Sequence, residues 1–271
     1  MIKLENIDFK YKNSDYILKN INLNIKEGEC ISIIGKNGAG KSSIAKLMSG
    51  ITKPTHGRVL VDEIDTKNKK DFYRLRKKVG IVFQNPDNQI LFNNVYDDIA
   101  FALRNLNLEN IDLRINEALK KVKMHEYINN ETYELSLGQK QRITIASVLA
   151  VNPKYVVLDE PTTMIDSNGK QEIYEIIKNL KESGYTVIYT TNSIDEILLA
   201  DRIIIIDGNE ISQEFAKKDI LENIDTLKKY NIKVPEIVQA LQKLKNNGIN
   251  INLNEWTISE LTDKIIEELK K

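Results

Sequence analysis

The sequence predicts an α/β domain built on a largely parallel central sheet, and three observations carry that prediction. Apolar runs rich in Ile and Val alternate along the chain with segments of helical periodicity, the pattern of strands that cross over to parallel neighbours. Several runs are almost continuously apolar, as in YVVLDE (155–160) and DRIIIID (201–207), which is how a strand covered on both faces reads. Finally, the glycine-rich segment GKNGAGKS (35–42) follows apolar ECISII and opens SIAKLMSG, so that a strand, a loop and a helix come in that order.

Taken along the chain, MIKLENIDF (1–9) reads as an opening strand. ILKNINLNI, ECISII, GRVLVD, VGIVF, YVVLDE, YTVIYTT and DRIIIID are the further strand candidates. Helical spacing fits SIAKLMSG, residues 95–123 in two pieces, 138–151, 168–183 and 193–200. The lysine- and arginine-rich stretch 67–80, with Phe72 and Tyr73 inside it, is expected to be a solvated helix face. No internal repeat or low-complexity segment interrupts the pattern.

The loop carries the first chemistry. Gly35, Gly38 and Gly40 are expected to bend through positive φ and bring backbone N–H groups close to an anion, which the N-terminal dipole of the following helix also favours. Lys41 would reach the β- and γ-phosphates of a nucleotide, and the Ser42 hydroxyl would stand on Mg²⁺; Asn37, Ala39 and Ser43 complete the cradle. At the end of YVVLDE, Asp159 would hold the Mg²⁺ shell, and Glu160 would act on the attacking water as general base. The string LSLGQKQR (135–142) precedes the apolar ITIASVLAV and puts Ser136 and Gly138 at a helix start, a second anion-binding end in the same chain.

With two phosphate-facing ends, the chain resembles the ATP-binding subunits of ABC transporters over residues 1–220. In that family the signature end of one subunit closes on the nucleotide held by its partner's P-loop. The resemblance extends to Gln84 in VFQNPDNQ, matching the Q-loop that touches Mg²⁺ and the membrane subunit, to Asp166 in PTTMID, matching the D-loop, and to Tyr11, where the family stacks an aromatic on adenine. It implies that Ser136, Gly138 and Gln139 serve the partner's nucleotide, and it implies antiparallel edge strands and a helical insertion over 86–150. For Tyr11 the alternative is a core tyrosine on an edge strand.

The segments VGIVFQNPDNQILFNNVYDDIAFALRNL and VPEIVQALQKLKNNGI narrow the resemblance to the energy-coupling factor transporter ATPases, once grouped with cobalt-uptake ATPases. That family implies a peripheral protein on the cytoplasmic face of the cell membrane, paired with a second ATPase subunit, a transmembrane coupling protein and a small membrane substrate-binding protein. Vitamins or transition-metal ions such as cobalt or nickel are the usual cargo. Other readings are the ATPase of an ordinary ABC importer, or a soluble ATP-gated clamp in DNA repair or translation. The clamp would require a long coiled-coil insertion or a second fused cassette, and neither is present.

Composition agrees. The 271 residues suffice for one α/β domain with an appendage, and 41% hydrophobic residues fill a sizeable core. Lys plus Arg and Asp plus Glu are equal at 39 each, so no overall field selects nucleic acid. The N-terminus does not read as a signal peptide, and no stretch reaches the roughly 18 apolar residues of a membrane span. Cys30, the one cysteine, is expected to be buried as a small apolar residue, and His56 and His125 lack the neighbours of a zinc site.

The domain is expected to end near residue 224 and an appendage to occupy 225–271. Val234, Ile237, Val238, Leu241 and Leu244 form one apolar stripe, and Ile258, Leu261, Ile265 and Leu269 another. Thr257 with Glu260 reads as a capping box, and Trp256 with Leu261 as its hydrophobic staple. Two short helices cannot make a core alone, so they pack either on their own domain or on a partner. The resemblance favours a contact in the ATPase dimer.

Two positions depart from the family pattern. Asn192 stands where the family has a histidine that contacts the γ-phosphate, and Leu137 replaces the first glycine of the signature. Asparagine can donate and accept a hydrogen bond but carries no charge near neutral pH. Hydrolysis at the chain's own P-loop site is therefore expected to be slow, the alternative being that both changes are tolerated. In a heterodimer the two changes fall on different composite sites, whereas a homodimer carries both at each, which favours a sister chain as partner.

Overall fold

The computed structural model describes residues 1–269 apart from Asn13, Asn192, Asn231, Asn254 and Glu255, and omits the side chains of Ile194, Asp195 and Leu269. Among the described residues the chain forms two sheets. A four-stranded antiparallel sheet is built from β1 (Ile2–Phe9), β2 (Leu18–Ile25), β4 (His56–Val61) and the short β5 (Ile64–Asp65), in the order β2-β1-β4-β5. Between β2 and β4 the chain visits the second sheet through β3 (Cys30–Gly35) and returns through helix α1 (Lys41–Met48). Helix α2 (Phe72–Lys78) then leads into β6 (Val79–Val82).

A helical layer follows, made of α3 (Val95–Asn105), α4 (Ile111–Lys121) and α5 (Leu137–Val151). The second sheet is completed by β7 (Tyr155–Asp159), helix α6 (Ser167–Glu182), β8 (Thr186–Thr191), helix α7 (Ile194–Ile197), β9 (Arg202–Asp207) and β10 (Glu210–Ala216). Its order is β10-β9-β3-β8-β7-β6, parallel throughout except for the edge pair β9/β10. The parallel strands therefore end together, and β3, β7 and β8 deliver their C-terminal residues to one crevice, where open α/β sheets bind ligands.

Alternation along the buried strands divides the core. Ile31, Ile33, Val157, Ile188, Ile204 and Ile206 face α1 and the antiparallel sheet. Cys30, Val82, Val156, Leu158, Val187 and Tyr189 face the helical layer and α6. Cys30 is fully buried, and burial pushes its thiol pKa up to about 12, so it packs as an apolar residue.

A third core joins the C-terminal helices α8 (Ile224–Lys229), α9 (Glu236–Asn246) and α10 (Ile258–Leu269) to the same sheet. Ile237, Val238, Leu241 and Leu261 pack with Ile34, Ile203, Ile205 and Phe215. At about 1.5–3 kcal/mol per buried side chain, those four residues contribute roughly 6–12 kcal/mol before entropy is counted. Of the alternatives in the sequence, packing on the chain's own domain is thus realised.

Three sequence expectations need correction here. Ile258 lies 73% exposed rather than on the buried stripe, and Leu269's side chain lies outside the described residues. The cap at α10 is displaced by one residue: Glu260 N–H donates to Thr257 Oγ1, but the Glu260 carboxylate accepts from Trp256 N–H, whose residue takes a left-handed φ of 59°. Strand β10 and helix α8 have no counterpart in the reading above, because EISQEFA carries too few apolar residues to show a period. No helix among the described residues is long and apolar enough to cross a membrane.

Candidate functional site

The P-loop joins β3 to α1. Gly38 and Gly40 have φ of 81° and 99°, and a Cβ on Gly40 would lie 2.6 Å from the Leu18 side chain. Gly35 does not adopt positive φ, contrary to expectation; it is required because a Cβ there would meet the backbone carbonyl of Ile206 at 2.4 Å. The loop curls around its own lysine. Lys41, 4% exposed, donates from Nζ to the carbonyls of Gly35 at 3.0 Å and Lys36 at 3.2 Å, and lies 3.4 Å from Glu160 Oε1.

Asp159 ends β7 in register with Thr190 of β8. Its Oδ1 accepts from Ser42 Oγ at 2.9 Å and Thr190 Oγ1 at 2.7 Å, so that two neighbouring elements fix one carboxylate. Glu160 leaves the strand with φ of 47°, a region that costs a non-glycine L-residue about 1–2 kcal/mol. Its N–H is held by the Thr190 carbonyl at 3.1 Å and hydroxyl at 3.0 Å, and its Oε2 accepts from Gln84 Nε2 at 3.2 Å and Thr163 Oγ1 at 3.1 Å. Asn37, Gly38, Gly40, Lys41, Ser42, Gln84, Glu160 and Thr163 together line a cleft of about 320 Å³.

Tyr11 follows β1 and is 41% exposed, not a core tyrosine; its ring meets Phe9 edge-on at 4.9 Å and its hydroxyl lies 3.4 Å from Ser43 Oγ. An exposed aromatic therefore stands beside the first turn of α1. Asn192 lies outside the described residues.

A second cavity, of about 570 Å³, lies between the starts of α5 and α6 and is lined by Ser136, Leu137, Gly138, Gln139 and Asp166 among others. Ser136 and Gln139 form a reciprocal capping box: Gln139 N–H donates to Ser136 Oγ at 3.3 Å, and Ser136 N–H donates to Gln139 Oε1 at 2.8 Å. Asp166 caps α6 by accepting from Gly169 N–H at 2.8 Å. Gly138 and Gly169 allow this close approach, since a Cβ on Gly169 would stand 2.4 Å from Ile165 Cγ2. Leu137 is the first residue of α5 and faces the cavity beside them. No acidic residue occupies the first turn of α5.

Asn192 aside, the residues expected from sequence thus fall into two groups on opposite flanks of the turn 160–166. Thr163 and Thr190 were not anticipated, although each supplies a hydroxyl to an acidic residue of the site. Thr190 was legible as the hydroxyl ending a strand beside β7, but only once strand order was known. On the helical layer, Leu91, Phe92 and Phe101 are exposed, with Phe92 and Phe101 5.2 Å apart. Buried Asp98 holds that tip through Leu91 N–H at 2.7 Å and Phe92 N–H at 3.2 Å; burial raises its pKa, opposed by those two bonds.

A strand, a glycine-rich loop and a helix around a buried lysine, with paired carboxylates two strands away and a helical layer inserted between, define a P-loop ATPase cassette. The ABC transporter family profile matches residues 18–163. The chain is 38% identical over 98% of its length to the energy-coupling factor transporter ATP-binding protein EcfA1 of Clostridium novyi, covering 98% of that protein. It is 40% identical over its whole length to the EcfA1 of Ligilactobacillus salivarius, covering 97% of it. Among solved structures, cbiO1 from Clostridium perfringens, part of the ABC transporter complex cbiONQ, superposes with a TM-score of 0.75 at 34% identity, over 89% of this chain and 98% of that one. A dimeric ATP-binding cassette in a post-hydrolysis state with ADP and Pi gives 0.72 at 34% identity, over 80% and 98%. The chain belongs to the ABC transporter family, among its energy-coupling factor transporter ATP-binding proteins. It binds ATP and hydrolyses it in support of transport.

Proposed function

We propose that this chain energises an energy-coupling factor importer for vitamins or transition-metal ions, working as one half of an ATPase pair on the cytoplasmic face of the cell membrane. The observation that carries the proposal is the division of site residues between two cavities that share the turn 160–166. One cavity has the groups for hydrolysis, the other a helix N-terminus and hydroxyl suited to a phosphate, and the two cannot meet on one nucleotide within one cassette unless a partner supplies the second half.

In this reading Lys41 and the loop N–H groups, with Asn37, Ala39 and Ser43 around them, hold the β- and γ-phosphates, and Tyr11 stacks on the base. Glu160 accepts the proton of the attacking water, with Gln84 and Thr163 fixing its carboxylate. Asn192 takes the γ-phosphate contact that histidine makes elsewhere. Ser136, Gly138, Gln139 and Asp166 serve the partner's nucleotide: the Ser136 hydroxyl accepts from Gln139 and still has its own O–H to donate. Catalysis of this kind is positioning and charge stabilisation.

The donor set near Lys41 fits Mg²⁺. Ser42 Oγ, 2.9 Å from Asp159 Oδ1, and the Gln84 amide oxygen are, with Asp159, hard oxygen donors of the kind that hold Mg²⁺ together with phosphates and water. When bound, Mg²⁺ would neutralise charge developing on the phosphate oxygens.

The exposed Leu91, Phe92 and Phe101, close in sequence to Gln84, support a contact with a transmembrane coupling protein, through which a membrane substrate-binding protein joins the assembly. A sister ATPase rather than a second copy is proposed as partner, since Asn192 and Leu137 would then fall on different sites. The appendage 225–271, seated on its own domain, offers its outer face to that partner.

The test is to purify the tagged chain from its native membranes in mild detergent and identify what accompanies it by mass. A multi-span protein, a sister ATPase and one or more small membrane proteins are expected. Recovery of cytosolic proteins only would refute the proposal, and a periplasmic or lipoprotein binder in place of the small membrane proteins would point to an ordinary ABC importer.

A further inference from the structure

Glu196, in α7, is fully buried, yet it belongs to none of the groups above. Its Oε1 accepts from the Thr162 hydroxyl, and its backbone carbonyl accepts from Tyr189 OH at 2.5 Å. Burial raises its pKa, opposed most by the Thr162 hydroxyl and less by Thr191, Lys170 and Tyr174. These partners come from the end of β8, from α6 and from the turn after β7.

Thr162, 3% exposed, is the centre of that turn. Ile165 N–H donates to the Thr162 carbonyl at 3.2 Å and Thr163 N–H to the Glu160 carbonyl at 3.3 Å, so residues 160–165 form one hydrogen-bonded turn. On one flank Glu160 and Thr163 line the P-loop cleft; on the other, Ile165 and Asp166 line the signature cavity. The carboxylate that grips the middle of the turn therefore sets both flanks.

We infer that Glu196 is a positioning residue for hydrolysis: through Thr162 it fixes the turn 160–166, and with it the carboxylate of Glu160 at the P-loop and the Asp166 end of the signature cavity. The effect is on geometry at the moment of reaction more than on ATP affinity, because the phosphate-holding loop is built from β3 and α1 and Lys41 keeps its carbonyl acceptors Gly35 and Lys36 there wherever Glu160 is placed. A misplacement of the base by an ångström is enough to slow an in-line attack strongly. The inference rests on Glu160 being the base.

The experiment uses the assembled complex purified through the tagged chain, with phosphate release measured against ATP concentration. Glu160→Gln defines the share of turnover that this chain's own P-loop site supplies, whatever its partner contributes. Thr162→Val, which keeps shape and loses the hydroxyl, and Glu196→Ala should each remove at least about four-fifths of that share while the KM for ATP stays within about twofold. The double variant should be no worse than the weaker single, as expected for two ends of one contact. Glu196→Gln keeps an amide oxygen for Thr162 and should retain at least about half of the share.

Wild-type turnover in Thr162→Val, additive losses in the double variant, Glu196→Gln falling as far as Glu196→Ala, or a loss expressed mainly as raised KM would each overturn the inference. Should Glu196→Ala fail to assemble, Thr162→Val decides alone. Undiminished turnover in Glu160→Gln would instead refute the assignment of the base, and the inference with it.

Discussion

Replacing Glu160 with glutamine changes one charge at the point where the site is most crowded. The carboxylate lies 3.4 Å from the Lys41 ammonium, with 12% and 4% of the two side chains exposed. At an effective dielectric of about 20 the gross attraction over that distance is about 5 kcal/mol. The net loss of stability is smaller, about 1–3 kcal/mol, because Lys41 keeps its two carbonyl acceptors and the amide still offers an oxygen to Gln84 or Thr163. Bound phosphate would restore a negative partner to Lys41 and would no longer be repelled by the carboxylate. Glu160→Gln should therefore hold ATP at least as tightly as wild type and gain more thermal stability from it. Turnover should behave in the opposite way. Loss of a general base typically costs 10²–10⁴-fold, or about 3–5 kcal/mol of barrier, in the share of hydrolysis belonging to this chain's site. Melting curves with and without Mg-ATP, and phosphate release by the purified complex, measure the two effects. Phosphate release by the complex undiminished from wild type would refute the role given to Glu160.

Leu241→Ala, at a site 2% exposed between α9 and the sheet, should cost about 2–5 kcal/mol and lower the denaturation midpoint by several degrees; an unchanged midpoint would deny the tail its place in the core. Ile258→Lys with Ile266→Lys, both exposed at 73% and 44%, should leave the midpoint nearly unchanged and weaken ATPase pairing in analytical ultracentrifugation; full pairing would move the dimer contact elsewhere. Asp62 accepts from the Met1 amine, Lys78 and Tyr155; burial alone would raise its pKa, but those bonds outweigh it and hold the carboxyl well below the usual range. Its contribution is thus present above the unfolded-state value of about 3.9 and lost as pH falls through the lower folded value, so Asp62→Asn should cost about 2–3 kcal/mol near pH 7 and the gap to wild type should close only in strong acid, as read from denaturant titrations across pH. Asn192→His should speed turnover of the assembled complex; an unchanged or lower maximal rate would argue that asparagine suffices.

The central sheet was legible because its strands are covered on both faces and so read as unbroken apolar runs, and the glycine-rich loop because its chemistry needs contiguous residues. What escaped was built from residues far apart in sequence. Thr190 meets Asp159 only because β8 lies beside β7, an adjacency no periodicity encodes. Thr163 stands in the same turn as Glu160 but shows its role only through a bond made once the turn has closed. The tail was ambiguous for a related reason: its apolar stripes were clear, while their cover, Ile203, Ile205 and Phe215, belongs to an edge pair whose second strand carries little hydrophobic signal. Gly35 is needed not for a bend in the loop but for its smallness beside the neighbouring strand β9.

Strand β3 presents Ile33 to the core of the antiparallel sheet and Ile34 to the core that holds the tail, and the next residue is Gly35, whose carbonyl grips Lys41. The nucleotide loop is therefore anchored at its root by two packed layers with separate chain origins. A load placed on the C-terminal helices, whether by a bulky fusion or by a protein seated on their outer face, would bear through Ile34 on the residue next to the phosphate cradle. The tail is in this sense a handle on the loop, and a grip on it would be registered as a change in how firmly the cassette holds its nucleotide.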